Sequence, residues 1–63
     1  MCEANAYLRR NGVDELVLQA VDTVQKCEGG LLLENIYGQR KILRATIKEL
    51  ALVHHKIFLE MVE

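Results

Sequence analysis

The first residues of the chain alternate in polarity with a period of two, and this pattern constrains the fold more than any other. In residues 2–9, small or apolar side chains occupy every second position, and polar or aromatic side chains occupy the positions between them. The first set is Cys2, Ala4, Ala6 and Leu8, and the second is Glu3, Asn5, Tyr7 and Arg9. Because successive side chains of a β-strand point to opposite faces of its sheet, the pattern predicts a half-buried strand. Cys2 is in phase with the buried face.

Turn signals divide the rest of the chain into further strands. The Asn-Gly pair at 11–12 is typical of a tight hairpin, and the Glu-Gly-Gly sequence at 28–30 is typical of a turn. The segment that begins at Glu15 fits either a helical stripe or a strand, but its β-branched residues and the hairpin signal before it favour a strand. Its apolar pattern slips in phase near residues 21–22, which predicts a bulge there.

Three more strands are expected, over residues 31–37, 40–53 and 56–62, with a turn at the two histidines of 54–55. The apolar positions of 40–53 change phase midway, which predicts a bend of the kind that closes a small barrel. A helix over 41–53 is the alternative interpretation of that segment. The fold expected from these patterns is all-β, a small antiparallel barrel of about five strands.

The length of the chain limits what it can build. Its 63 residues can form only one domain, residues 1–63, with a small core. Domains of this size usually need disulfides, a metal or a second subunit. The two cysteines, Cys2 and Cys27, are too few for a disulfide-based scaffold, whereas 51% of the residues are hydrophobic. In the last predicted strand, Phe58 and Val62 make the nominally outer face apolar. These features predict that the chain self-associates.

Composition argues against several classes of function. The net charge of −1, with acidic and basic residues interleaved, gives no electrostatic basis for binding nucleic acid. No apolar run reaches the roughly 20 residues of a membrane helix, and the first residues do not resemble a signal peptide. The sequence has neither a phosphate-binding glycine loop nor any serine. We therefore expect a cytoplasmic protein that is not an enzyme and has no membrane partner.

The first two residues carry the most specific chemistry in the chain. The α-amine of Met1, the amide nitrogen of Cys2 and the Cys2 thiolate can bind one ion in two fused five-membered rings, which hold the three donors in a plane. Planar nitrogen and sulfur donors suit Ni(II) or Cu(II) and not tetrahedral Zn(II). If Met1 is removed, the amine moves onto Cys2, and two chains could complete an N2S2 plane. Judged alone, a cysteine at position 2 is more often an incidental small residue.

Four other residues offer metal-binding groups, but each has a simpler explanation. Cys27 lies beside the turn at 28–30, where a thiol is usually only tolerated. His54 and His55 offer imidazole, which suits nickel, but adjacent residues of a strand point to opposite faces, so only one could serve a single site. Solvated turn residues are the simpler interpretation of both. Glu3 is either an outer ligand or a solvent-facing strand residue.

Six short motifs, taken in order along the chain, resemble one known family. They are Met1-Cys2-Glu3-Ala4-Asn5-Ala6-Tyr7-Leu8, Glu15-Leu16-Val17-Leu18, Gly29-Gly30-Leu31, Asn35-Ile36-Tyr37-Gly38, Ile47-Lys48-Glu49 and His55-Lys56-Ile57. Together they resemble the CooT family of small nickel-binding proteins, which are associated with the maturation of carbon monoxide dehydrogenase. Each motif is weakly specific, but their order and spacing together are much more so. Hydrogenase-maturation chaperones of the HypC type also begin with Met-Cys, but their proline-glycine signature is missing because this sequence has no proline.

The resemblance implies a homodimer of small β domains similar to Sm-like or SH3-like barrels. It also implies a Ni(II) site built on Cys2. As further ligands we expect main-chain nitrogen near Met1 and Cys2, with Cys2 of the partner chain as another candidate. At His54 the family more often has an acidic or amide residue, which leaves an added imidazole ligand open for this chain.

The predicted function is therefore that of a Ni(II)-binding accessory protein. It would act as a carrier that holds the ion through Met1 and Cys2 and delivers it to carbon monoxide dehydrogenase or to its maturation proteins. One alternative is a nucleic-acid-binding module, since small Sm-like barrels often bind RNA, although the only aromatic residues are Tyr7, Tyr37 and Phe58. The other is a structural or regulatory dimer in which Cys2 is inert.

Overall fold

The computed structural model describes residues 3–51 and 53–61, and within them the chain forms six β-strands. The strands are β1 (Ala4–Arg10), β2 (Val13–Cys27), β3 (Gly30–Asn35), β4 (Arg40–Leu43), β5 (Ala45–Ala51) and β6 (Lys56–Met61). The all-β prediction is confirmed, and the helical alternatives for the second strand and for residues 41–53 are wrong. In this part of the chain, no helix is long and apolar enough to cross a membrane.

The strands form one curled sheet in the order β4-β3-β2-β1-β6-β5. Four of the five neighbouring pairs are antiparallel, as predicted, but β6 runs parallel to β1, with Ala6 beside Ile57 and Leu8 beside Leu59. The hairpin of β5 and β6 therefore joins the sheet at β1 instead of continuing from β4. Because β4 and β5 follow each other in the chain, the sheet must curl into a half-barrel, and β5 contacts β3.

The core lies on the inner face of the curled sheet. Ala6 and Leu8 are buried and Asn5 is exposed, which confirms the alternation predicted for residues 2–9 over the positions that the structure describes. Within residues 3–51 and 53–61, the buried apolar side chains form one cluster, which consists of Ala6, Leu8, Val21, Leu31, Leu33, Ala45, Ile57 and Leu59. A core this small fits a domain of marginal stability.

The first hairpin has the tight turn that its Asn-Gly pair predicted. Asn11 and Gly12 both have positive φ values, 53° and 78°, which is the combination of a type I′ turn. Across the hairpin, Arg9 Nε donates a hydrogen bond to Asp14 Oδ1 at 2.8 Å. This hydrogen bond lowers the pKa of the Asp14 carboxyl and raises the pKa of the Arg9 guanidinium. The ion pair thus joins the two strands next to the turn.

β2 changes partner at a bulge, at the place where the sequence predicted one. Its first half pairs with β1 and its second half with β3, and the register shifts between Val21 and Thr23. Ala20 has a φ of 57°, in the left-handed region that alanine rarely adopts. Two hydrogen bonds hold it there, because its N–H donates to Asn5 Oδ1 at 3.1 Å and its carbonyl accepts from the Ile36 N–H at 3.0 Å.

β3 ends at Asn35, two residues before the end that was predicted for it. The buried Asn35 Oδ1 accepts hydrogen bonds from the N–H groups of Tyr37 and Gln39, at 3.1 and 2.9 Å. Its Nδ2 donates to Gln39 Oε1 at 2.7 Å. These bonds replace the strand ladder with a turn. As a result, Tyr37 is not in a strand, and 68% of its surface is exposed.

The segment predicted as one strand, 40–53, contains two strands divided at Arg44, which is why the sheet has six strands and not about five. The corner between them passes close over Gly30. A Cβ atom there would collide with the main chain of Leu43 and Arg44. The predicted change of phase is confirmed within β5, where the register shifts after Ile47.

Phe58, predicted to form part of an apolar interface, is half-buried within the chain itself. Its ring stacks on that of Tyr7, with the centroids 5.7 Å apart. The Arg9 guanidinium lies 5.2 Å from the Phe58 centroid, and Lys56 Nζ lies 5.8 Å from the Tyr7 centroid. These contacts attach the outer faces of β1 and β6 to each other. Val62, the other residue of that prediction, lies outside the described residues.

Candidate functional site

Met1 and Cys2, the predicted metal ligands, lie outside the described residues, so a Ni(II) site on them stays a prediction. The structure describes the chain from Glu3, and β1 begins at Ala4. The part of the candidate site that lies within the described residues is therefore the surface around Glu3.

An open cleft of about 560 Å³ lies at the start of β1. Its walls come from four parts of the chain: the start of β1, the bulge of β2, the turn after β3 and the turn between β5 and β6. The lining residues are Glu3, Asn5, Gln19, Ala20, Tyr37, His54 and His55. The structure thus brings Glu3, the residue that directly follows Cys2 in the sequence, to the same cleft as both histidines.

Main-chain hydrogen bonds fix the histidine turn against the start of β1. The His54 N–H donates to the Ala51 carbonyl at 3.1 Å, which closes the turn. The His55 carbonyl accepts from the Asn5 N–H at 2.9 Å. Both histidines are exposed. Their backbone is therefore anchored, while their imidazole groups are accessible from the cleft.

His54 and His55 do not occupy neighbouring positions of a strand, which would face opposite ways and allow only one of them in a given site, as the sequence suggested. Residues 53–55 instead form a turn, as the sequence predicted for 54–55, and His55 has a φ of 55° in the left-handed region. Because the chain reverses here, His54 and His55 both line the one cleft.

Asn5 connects the two sides of the cleft. Its N–H donates to the His55 carbonyl, and its side-chain Oδ1 accepts from the Ala20 N–H at 3.1 Å. The Ala20 carbonyl in turn accepts a hydrogen bond from the N–H of Ile36, the residue before Tyr37. Asn5, Gln19, Ala20 and Tyr37 were not predicted as site residues. No local pattern marks them, because strand pairings between distant segments bring them together.

The donor groups of the cleft are two imidazoles, the Glu3 carboxylate and the Tyr37 phenol. Over residues 3–51 and 53–61, no group of three His, Cys, Asp or Glu side chains is placed to hold a metal ion. The cleft as described can therefore contribute ligands to an ion that other groups also bind, but it does not form a complete site.

Cys27, the other predicted candidate, lies away from the cleft. It is exposed at the end of β2, opposite Gly30, and lines a separate groove with Ala45 and Ile47. Along β2 it follows Val21, the partner of Ala4, by six residues, which corresponds to about 20 Å of strand. The structure gives no support to a shared site of Cys27 with Glu3 and the histidines.

Comparison with known proteins gives two matches that cover nearly the whole chain. The family model of the CO dehydrogenase accessory protein CooT matches residues 1–60. The chain is also similar to the crystal structure of a candidate CooT from Carboxydothermus hydrogenoformans, at 50% sequence identity and a TM-score of 0.94. That match covers 98% of this chain and 100% of the other. No protein of curated function matches.

Proposed function

Because the chain belongs to the CooT family of CO dehydrogenase accessory proteins, we propose that it is a Ni(II) carrier that supplies the ion during maturation of carbon monoxide dehydrogenase. The ion is bound through the Met1 amine, the Cys2 amide nitrogen and the Cys2 thiolate. The protein acts in the cytoplasm, where the thiol stays reduced, and hands its cargo to the enzyme or to its maturation proteins without catalysing a reaction.

The observation that carries this proposal is the position of Glu3 in the wall of an open cleft, and not in the core. A carrier has to release its ion, and an incoming thiolate can approach an accessible metal without unfolding the donor protein. The donor set also fits the ion, since nitrogen and thiolate donors in a plane suit Ni(II). Both the thiol and the amide must lose a proton on binding, so affinity rises with pH.

We also propose that the carrier is a homodimer that forms along β5. This strand is at one end of the sheet, where an edge can pair with a strand of another chain. Ile47 and Leu50 lie opposite the core residues Leu59 and Ile57, yet they are 44% and 51% exposed. Val53, just beyond the strand, is 86% exposed. A second copy would cover these side chains.

Such a dimer would place the cleft of each chain beside the shared interface. β5 leads into the turn of His54 and His55, so the cleft lies next to the proposed interface.

Titration with Ni(II) tests the metal site. We expect the wild-type chain to bind Ni(II) and to show thiolate-to-nickel charge-transfer absorption. Cys2→Ser removes the thiolate, so the absorption band should disappear and the affinity should fall by at least about tenfold. The matched control is Cys27→Ser, which removes the chain's other thiol and should leave both the band and the affinity unchanged.

Two results would contradict the proposal. Equal binding by the wild type and Cys2→Ser would remove Cys2 from the site, and the absence of binding in both would remove nickel from the function. Circular dichroism of each variant ensures that the folded proteins are compared.

A further inference from the structure

We propose that the free edge of the first half of β2 is a docking site for an extended segment of another protein, which joins the sheet as a strand antiparallel to β2. The segment is acidic at the end that lies beside Lys41 and basic at the end that lies beside Glu15. The inference is independent of the nickel site, because it uses neither the terminus of the chain nor the histidine turn.

The first half of β2 has a strand partner on one side only. Its pairing with β1 extends down to the tight turn, whereas its pairing with β3 begins at Val21. β3 ends at Asn35, opposite Val21, where the chain turns away. Within the described residues, no strand lies along the other side of 13–19, which we call the β2 edge. An unpaired edge of this kind can bind a strand of another molecule through main-chain hydrogen bonds.

The main-chain groups of the β2 edge point outward at alternate residues. The two residues that flank the tight turn exchange hydrogen bonds, so by alternation Asp14 and Leu16 direct their N–H and carbonyl groups away from β1. Val17 is the extra residue of a bulge, and its carbonyl accepts a hydrogen bond from Lys41 Nζ at 2.9 Å. A side chain therefore occupies a position that a neighbouring strand would take in a complete sheet.

A groove of about 380 Å³ runs along this edge. One of its walls is β2 from Leu16 to Gln19, and the other consists of Gln39, Arg40 and Lys41. One lysine side chain bridges the two walls, so the groove has room for a single extended chain. A second copy of the protein fits less well, because its own residues 39–41 would meet the same wall.

The charges beside the β2 edge differ between its two ends. At one end, Lys41 forms no ion pair within the described residues, and Arg40 forms only an exposed one at 3.6 Å. At the hairpin end, Glu15 is also outside the ion pairs of this part of the chain, whereas the charge of Asp14 is already paired. An antiparallel segment with an acidic amino-terminal end and a basic carboxyl-terminal end matches both.

The two faces of the sheet also predict an alternation of polarity in the segment. Leu16 lies opposite Tyr7, whose ring stacks on Phe58 on the outer face, and it is 49% exposed. Lys41 lies opposite the buried Leu33 and therefore belongs to the inner face. Apolar side chains of an added strand would cover Leu16, and the polar ones between them would face Lys41.

The Lys41 side chain makes the edge selective. An exposed lysine at a sheet edge discourages pairing with arbitrary strands. A segment without an acidic residue would displace the bond of Lys41 to the Val17 carbonyl and offer the ammonium group nothing in return. An acidic segment replaces that bond with an ion pair, so the β2 edge accepts it in preference.

Binding of two labelled peptides to the full chain, measured by fluorescence anisotropy, tests the inference. Each has about six residues in which valine alternates with polar residues. The first has glutamate at its amino-terminal polar position and lysine at its carboxyl-terminal one, and the second has the two exchanged. We expect the first to bind at least about fivefold more tightly, because the exchange turns both charge contacts into repulsions. Methylation of its amides that face β2 should abolish binding, since a methylated amide cannot donate to the edge.

Charge reversal at Lys41 identifies the residue that selects the peptide. Lys41→Glu should lose the preference for the first peptide, because the attraction at one end becomes a repulsion. Lys26→Glu is the matched control, since it makes the same change of charge in the half of β2 that pairs with β3, and it should keep the preference. Circular dichroism verifies that both variants are folded.

Amide chemical shifts of the wild type locate the peptide without any substitution. We expect the first peptide to shift the amides of Asp14 and Leu16 and to leave those of Ile47 and Leu50 on β5 unchanged. Shifts concentrated on β5 would overturn the inference, as would equal binding of the two peptides, binding that survives methylation, or no saturable binding of the first peptide. Loss of self-association in Lys41→Glu would assign the β2 edge to a second copy and would also overturn it.

Discussion

Among single residues, Asn5 does the most to shape the cleft, because it forms hydrogen bonds to two of the segments that wall it. Its main-chain N–H holds the histidine turn through the His55 carbonyl, and its side chain holds the β2 bulge through the Ala20 N–H. In a strand, a main-chain bond survives most substitutions, but the side-chain bond depends on an oxygen at this position. The bulge is therefore the side of the cleft that is sensitive to residue 5.

Asn5→Ala should reduce the free energy of unfolding by about 1 kcal/mol, because the left-handed Ala20 loses the acceptor of its N–H. Asn5→Asp keeps a side-chain oxygen there and should lose less. Urea denaturation measures both, and the amide chemical shift of Ala20 should move in the alanine variant. Gln19→Ala, which changes the adjacent wall, serves as the control. Equal stability of Asn5→Ala and the wild type would show that the bond contributes nothing.

Residue-level chemistry could be predicted from the sequence where it depends on neighbours in the chain. The Asn-Gly turn and the candidate chelate of Met1 and Cys2 follow from adjacent residues. The role of Asn5 could not be predicted, because its partner Ala20 is fifteen positions away and the bond needs a bulge at the right place. The same holds for Asn35, whose side chain ends a strand that its apolar neighbours would have continued.

Between elements, the sharpest constraint is the crossing of the β4–β5 corner over β3. Gly30 has a φ of 123°, and a Cβ at this position would meet the carbonyl oxygen of Leu43 and the Cα of Arg44. These are main-chain atoms of the corner, so they cannot move aside as a flexible side chain would. The absence of a side chain at Gly30 therefore allows the corner to cross this close to β3.

Gly30→Ala should lower the free energy of unfolding by about 2–4 kcal/mol, since backbone strain and a collision with main chain add together. Gly12→Ala is a matched control, because Gly12 also has positive φ, 78°, but a Cβ there would have no atom within 4 Å. It should lose about 1–2 kcal/mol, the strain alone. Urea denaturation compares the two. Similar losses in both variants would show that the close crossing has no energetic effect.

The elements themselves were largely predictable, and their pairing was not. An alternation of polarity with a period of two predicted β1, and slips in the phase of the apolar pattern predicted the bulges in β2 and β5. Both predictions were possible because side-chain direction is a local property of the strand. The parallel pairing of β1 with β6 has no local signal, since it joins Ala6 to Ile57 across most of the chain. The division of 40–53 at Arg44 also depends on a distant residue, Gly30.

For the molecule as a whole, the balance between core and exposed apolar surface favours association. Among the described residues, the core holds eight buried apolar side chains, whereas Ile47, Leu50 and Val53 along one edge are largely exposed. In a marginal domain, covering such an edge stabilises the fold and removes a site of uncontrolled strand pairing. Since β5 leads into the histidine turn, the same association would also set the distance between two clefts.

Leu50→Glu should convert the proposed dimer into a monomer, because a charge would replace the middle one of the three exposed apolar side chains along this edge. Sedimentation at low micromolar concentration measures the change. Val13→Glu is the control, since Val13 is 66% exposed but lies beside the β1–β2 turn, away from that edge. A monomeric wild type would contradict the homodimer, and a dimeric Leu50→Glu variant would move the interface away from β5.

If the dimer positions the metal sites, nickel affinity should fall together with dimerisation in Leu50→Glu and stay unchanged in Val13→Glu.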